Sequence, residues 1–246
     1  MSELKEYLFR HLDSAFTELE TLSENAISRL VLYQNRQTGE KVLLLKTLNR
    51  NDSVFRQLNA TDVMGYLPKV YIVASDDDAL YVLLEYVEGQ SAAALIGCGD
   101  YDAVLGYMTD VCQALALLHS LGIIHRDVKP DNVIIKPDGH AALIDLSIAK
   151  TAGEGNSDTV TLGTVGYAAP EQFGLMASRV ETDIYALGVT MNILLTGVHP
   201  MQDIPDNRVG KIIKKCTSLR IADRYADVGQ LMADLQRVGR RRSKIK

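Results

Sequence analysis

The stretch Ile123–Asp145, IIHRDVKPDNVIIKPDGHAALID, sets a loop dense in charged and amide side chains between short apolar runs. The loop carries His125, Arg126, Asp127, Lys129 and Asn132, and a last apolar run ends on the carboxylate of Asp145. Short apolar runs bounded by Pro, Asp and Gly read as strands. Asp127, Asn132 and Asp145 therefore form a set held at strand ends. Phosphoryl transfer requires such a set: a carboxylate to orient the attacking hydroxyl, oxygen ligands for a divalent metal, and cations to offset developing charge. On this reading Asp127 accepts the hydroxyl proton, Asn132 and Asp145 hold Mg²⁺, and Lys129 neutralises the transferred group.

The bulk numbers allow that reading and exclude others. At 246 residues the chain can form two lobes, each with its own core. No apolar run reaches the roughly 18–20 residues that span a bilayer, and the opening MSELKEYLFRHLDSAF is acidic and amphipathic, unlike a secretory signal. Cys98, Cys112 and Cys216 are odd in number and widely spaced, which predicts reduced thiols rather than a disulfide or zinc framework. The net charge of −5 argues against general nucleic-acid binding. The end is different: RVGRRRSKIK, from Arg237, has six basic residues and no acid.

Outward from the opening stretch, the first part of the chain is strand-rich. Residues 29–46, RLVLYQNRQTGEKVLLLK, predict a β-hairpin turning at Gln37–Glu40, and Val70–Val73 with Leu80–Val87 predict a second pair around Ser75–Asp78. After Gly89 the period changes. Apolar residues recur from Val104 to Leu118 at helical spacing, with Gly122 placed as a C-cap. Thr182–Leu195 is apolar nearly all round and predicts a buried helix. Val228, Leu231, Met232, Leu235 and Val238 mark a last amphipathic one.

HRDVKPDN, residues 125–132, resembles the catalytic loop of the eukaryotic-like protein kinase family, and Lys129 within it is similar to the serine/threonine branch. Other segments resemble that family in order. Lys46 ends the LLLK strand like the phosphate-binding lysine. LLEYVEG, residues 83–89, is similar to the hinge, which implies adenine bonds at the backbone of Glu85 and Val87. Val31, Leu44 and Ile134 would line the adenine pocket. GTVGYAAPEQ, residues 163–172, resembles the end of an activation segment. Thr164 would bond Asp127 and Lys129, Asp183 would brace the catalytic loop, and Arg224 would pair with Glu171. Arg126 beside Asp127 implies a loop ordered by phosphorylation, with Ser157, Thr159 and Thr161 as candidates and Thr159 favoured.

The resemblance implies an α+β, bilobal kinase-like fold: a small β-rich lobe over residues 1–87 with a regulatory helix, and a larger helical lobe over 88–246. It implies ATP and Mg²⁺ or Mn²⁺ as cofactors, protein Ser/Thr hydroxyls as acceptors and a cytoplasmic setting. The basic residues 237–246 are either a plainly solvated end or a segment suited to the inner face of a membrane, tethered by sequence beyond Lys246.

The pattern breaks in the small lobe. The phosphate loop should fall on Glu24–Arg29, which holds no glycine, and Leu44 stands where the family has a small residue. Between Thr47 and Ser75 the acids are Asp52 and Asp62, so no glutamate is available to pair with Lys46. Asp145-Leu146-Ser147 replaces Asp-Phe-Gly. Those departures support a rival reading, a pseudokinase acting through protein interactions. A small-molecule phosphotransferase fits less well, because GTVGYAAPE and Arg224 belong to the protein kinases.

Overall fold

A computed structural model describes residues 3–48, 52–151, 164–173 and 177–243. The chain divides into two compact units, Met1–Val87 and Glu88–Lys246.

The first unit opens with helix α1 (Glu3–Ala15) and continues into β1 (Phe16–Glu24), β2 (Ser28–Asn35) and β3 (Lys41–Thr47); helix α2 (Asp52–Asn59), β4 (Val70–Ser75) and β5 (Leu80–Glu85) follow. The five strands form one antiparallel sheet in the order β1-β2-β3-β5-β4. Both predicted hairpins are present. Their turns are built by side chains: Asn35 Oδ1 accepts from the N–H groups of Gln37 and Thr38, and Asp76 Oδ1 from those of Asp78 and Ala79. Such Asx turns satisfy backbone donors that a strand end leaves unpaired.

Register fixes which side chains share a face, because successive residues point to opposite sides. Leu44 stands opposite Val31 on one side and Leu83 on the other, and Lys46 opposite Arg29 and Tyr81. Val42, Leu44 and Lys46 thus project from one face, while Leu43, Leu45 and Thr47 project from the other. Helix α1 covers the first face. Leu8 and Leu12 share a buried cluster with Val42, Leu44, Tyr81 and Leu83. Lys5 closes the edge of that cluster, bonded to Asp76 with its ammonium 4.7 Å above the Tyr81 ring. Leu12, only 2 % exposed, is its deepest clamp together with Leu8. Leu12→Ala is expected to destabilise the first unit by about 2–5 kcal/mol, read as a lower midpoint in urea unfolding.

Helix α2 serves the opposite face. Its Val54, Phe55 and Leu58 are buried outside the α1 cluster, and Arg56 reaches Ser75 Oγ at 3.5 Å. Ser75 lies opposite Leu80, one position on from the Ala74–Tyr81 pair that faces α1.

The second unit begins with β6 (Gln90–Ser91) and the long helix α3 (Tyr101–Ser120), N-capped by Asp100, whose Oδ1 accepts from Asp102 and Ala103 N–H. Gly122, at φ 71°, ends that helix as predicted. β7 (Ile123–Ile124), β8 (Val133–Ile135), β9 (Ala141–Leu143) and β10 (Lys150–Thr151) follow, pairing as β6-β8-β9 and β7-β10. Then come α4 (Val180–Thr196), α5 (Arg208–Cys216) and α6 (Val228–Ser243). Nearly every side chain of α4 from Thr182 to Leu195 is buried, so it forms the spine of this unit. Within the basic end, Arg237 to Ser243 continue α6.

Candidate active site

The loop between β7 and β8 is held by one buried carboxylate. Asp183, on α4, is fully buried; its Oδ2 accepts from His125 N–H at 2.9 Å and its Oδ1 from Arg126 N–H at 2.8 Å. His119 Nε2 lies 2.8 Å from the same Oδ2. Those contacts hold Arg126 at φ 70°, a left-handed conformation that a non-glycine residue adopts only when its surroundings impose it. Gln172 Nε2 and Thr190 Oγ1 donate to the carbonyls of Arg126 and Val128, and Arg126 Nε donates to Ile148 O at 2.6 Å. His125 is wholly buried, with Nε2 3.1 Å from Ile144 O and Nδ1 accepting from Asp127 N–H. It packs beneath the loop.

The braced backbone aims Asp127 into a cluster of donors. Its Oδ1 accepts from Thr164 Oγ1 at 2.8 Å and Thr164 N–H at 3.2 Å. Its Oδ2 is 2.8 Å from Lys129 Nζ and accepts from Asn132 Nδ2 at 3.0 Å. Lys129 also donates to Thr164 Oγ1 at 2.7 Å. Burial alone raises the pKa of the Asp127 carboxyl, but hydrogen bonds from Lys129 and Thr164 and the lysine charge together outweigh it. The group is held below the ordinary carboxylate value and is ionised near neutrality, as a proton acceptor must be.

Asn132 donates through Nδ2 to Asp127 and presents its amide oxygen as a hard donor. Asp145 follows β9, is exposed, and sits at φ 66°, a second left-handed non-glycine residue. Ile144 N–H donates to Asn132 O at 2.8 Å and so ties the two candidate metal ligands' backbones together. Asp145 Oδ1 accepts from Ser147 N–H at 3.0 Å. An amide oxygen and an exposed carboxylate on linked backbone fit a hard divalent cation. Ile134, in β8, pairs with Ala142 and Ser91.

Glu171 and Arg224 meet at a distance from the loop. The guanidinium bonds both carboxylate oxygens, at 2.7 and 3.0 Å, with Thr182 Oγ1 adding a third donor. Both side chains are buried, and Arg224 also bonds Ser218 O and Glu181 O and lies 4.8 Å over the Tyr185 ring. Burial pushes the Glu171 and Asp183 carboxyls upward, yet the hydrogen bonds from Arg224 and from His119 reverse the outcome. Both pKa values are lowered.

A depressed folded-state pKa stabilises the fold above the unfolded value and loses that contribution as pH falls through the folded one. With Asp127, Glu171 and Asp183 all depressed, the second unit is expected to keep its thermal midpoint at neutral pH. It then loses stability progressively once pH drops below about 4, the unfolded carboxylate range. Melting curves across that range check it.

In the first unit the expected nucleotide contacts are arranged differently. Leu44 belongs to the α1 cluster and Val31 shares its face, both buried. Both were expected to line an adenine pocket; here they lie on the face of the sheet that α1 covers. Lys46 is exposed on that same face and has no ion-pair partner among the described residues. The β3 residues on the α2 side are Leu43, Leu45 and Thr47. Asp52 pairs with Arg56 at 3.2 Å, and Asp62 Oδ1 accepts from Met64 N–H, so neither acid is engaged with Lys46. The glycine-less segment is a tight turn in which Asn25 Oδ1 accepts from Ile27 and Ser28 N–H. Glu85 ends β5 with its N–H given to Lys69 O, and Val87 closes the first unit. Ser157, Thr159 and Thr161 lie outside the described residues. The sequence reading missed two contributors to the loop, Gln172 and His119. Each stands beside another polar residue, Glu171 and Ser120, at the edge of a mostly apolar stretch, so neither was marked out by its neighbours.

A carboxylate ringed by lysine, threonine and amide donors, beside a second carboxylate on a linked strand, defines a phosphoryl-transfer loop. The protein kinase domain pattern matches residues 17–237. The chain belongs to the protein kinase family, among the eukaryotic-like serine/threonine kinases of bacterial type. It is 33 % identical over 178 residues to serine/threonine-protein kinase D of Synechocystis, covering 69 % of this chain and 34 % of that protein. A probable serine/threonine-protein kinase of Clostridium acetobutylicum is 27 % identical over 237 residues, 83 % of this chain and 36 % of its own. One from Lactococcus lactis is 28 % identical over 244 residues, covering 83 % and 39 %. The chain thus spans little more than a third of the length of these relatives. Among the described residues no helix is long and apolar enough to cross a membrane.

Proposed function

We propose that the chain transfers the γ-phosphate of ATP to Ser or Thr hydroxyls of protein acceptors. The observation that carries this reading is Asp127, ionised and held by Thr164, Lys129 and Asn132. Its carboxylate orients the acceptor hydroxyl and takes its proton, while Lys129 offsets charge on the transferred group. Asn132 and Asp145 would hold Mg²⁺, which when bound neutralises phosphate charge. The backbone of Glu85 and Val87 would bond the adenine edge. The Thr164 hydroxyl, bonded to both Asp127 and Lys129, fixes their spacing and supports a hydroxyl acceptor at that point. Incubation with ATP, Mg²⁺ and a generic protein acceptor, followed by phosphoamino-acid mapping, tests the proposal. Phosphoserine or phosphothreonine supports it; phosphate found solely on small-molecule acceptors overturns it.

A pseudokinase reading is favoured by one observation, the exposure of Lys46 on the α1 side of the sheet together with the glycine-less turn. It predicts no transfer and no thermal stabilisation by nucleotide with Mg²⁺.

A further inference from the structure

Helices α5 and α6 frame a cavity of about 310 Å³ that the catalytic loop does not use. Its floor is apolar: Ile212 on α5, Val238 on α6, and the ring of Tyr225. Its rim is cationic. Arg208, Lys211 and Lys215 project from α5 at spacings of three and four residues, one face of a helix, and Arg237 faces them from α6. The one acid at the site, Asp234, is already engaged: it accepts from Tyr225 OH at 3.0 Å and pairs with Arg237. Lys215 Nζ lies 3.9 Å over the Tyr225 ring. Among the described residues, Arg208, Lys211 and Lys215 have no carboxylate partner. Three cations without a carboxylate partner around an apolar hollow are unexpected in a chain of net charge −5, where acidic side chains are plentiful.

The geometry points to a docking site for an extended acidic peptide segment with an apolar side chain, supplied by a partner protein. Length selects the occupant. From Arg208 to Lys215 the cations run for about 10 Å along the helix axis, at 1.5 Å per residue, the reach of roughly three extended residues. A single phosphate would meet one or two of these cations and leave the floor of Ile212 and Val238 uncovered. A bilayer would seek a flat surface, whereas this one is concave. Acids on such a segment match the row of cations, and its apolar side chain fills the hollow, which removes both the unpaired charge and the exposed floor.

The test uses the full chain and a fluorescein-labelled decapeptide of Asp and Glu with Leu at its centre, read by fluorescence anisotropy. Binding that falls about tenfold in Arg208→Glu/Lys211→Glu, as two rim charges predict, with an unchanged melting temperature, supports the site. So does weaker binding of the same peptide with Ser replacing Leu. Equal binding by wild type and double variant overturns it, as does failure of the peptide to bind. Capture by anionic phosphatidylglycerol vesicles, or competition by millimolar inorganic phosphate alone, with the peptide inert, reassigns the patch to lipid or free anion and also overturns it. Binding is read without turnover, so failure here leaves the phosphotransfer reading intact, and failure of that reading leaves this one intact.

Discussion

Asp127→Asn is expected to lower phosphate transfer by about 10²–10⁴-fold, the usual contribution of a positioned proton acceptor, with a smaller effect on melting temperature, because the depressed carboxyl itself stabilises the fold near neutrality. The variant keeps the shape of the side chain. It replaces a carboxylate oxygen by an NH₂ group in a pocket of donors, where Thr164 Oγ1 and N–H face one oxygen and Lys129 and Asn132 face the other. Whichever way the amide turns, one donor meets another and the proton acceptor is gone. The brace on Asp183 does not involve the Asp127 side chain, so the loop backbone keeps its course. Initial rates of transfer and a melting curve on the same preparation separate the two effects. A drop in melting temperature as large as that expected for Glu171→Ala would show Asp127 to be structural first.

The largest expected effect on stability is at Glu171. Removing it by Glu171→Ala leaves the Arg224 guanidinium buried without its counter-charge, while its remaining bonds go to the neutral carbonyls of Ser218 and Glu181. Breaking one side of a buried pair costs about 3–5 kcal/mol. In a unit of this size that lowers the melting temperature by roughly 10 °C. Replacing both partners with apolar residues of similar volume, Glu171→Leu with Arg224→Met, is expected to cost less than the single change, because no buried charge is then stranded. A single variant as stable as wild type would remove the pair from the account of this unit.

The second unit was legible because its signals are local and specific. The catalytic loop packs its functional groups into eight consecutive residues, and Gly122 and the buried run of α4 announced their elements. Helix α1 and strand β1 were not legible as fold elements. β1 buries Phe16 and exposes the other eight of its residues, so no apolar alternation marks it. The face of Lys46 was hidden for a sharper reason. The run Val42-Leu43-Leu44-Leu45 is apolar throughout because β3 has helices to serve on both faces. Such a strand carries no period to say which leucine looks which way, and a shift of one residue exchanges the faces. Resemblance places a lysine at the strand's end; only the register shows that it projects with Leu44 toward the α1 side.

The most direct measurement is the initial rate of γ-labelled phosphate transfer by Lys46→Met, run beside wild type and Asp127→Asn. On the proposed function the chemistry rests with Asp127 and its neighbours, and Lys46, exposed on the α1 side of the sheet, stands outside the reacting set. That reading predicts that Lys46→Met keeps its rate within about twofold of wild type, as a residue outside the reacting set should, while Asp127→Asn falls to background. A Lys46→Met rate that collapses together with Asp127→Asn would contradict it and return the lysine to the phosphates.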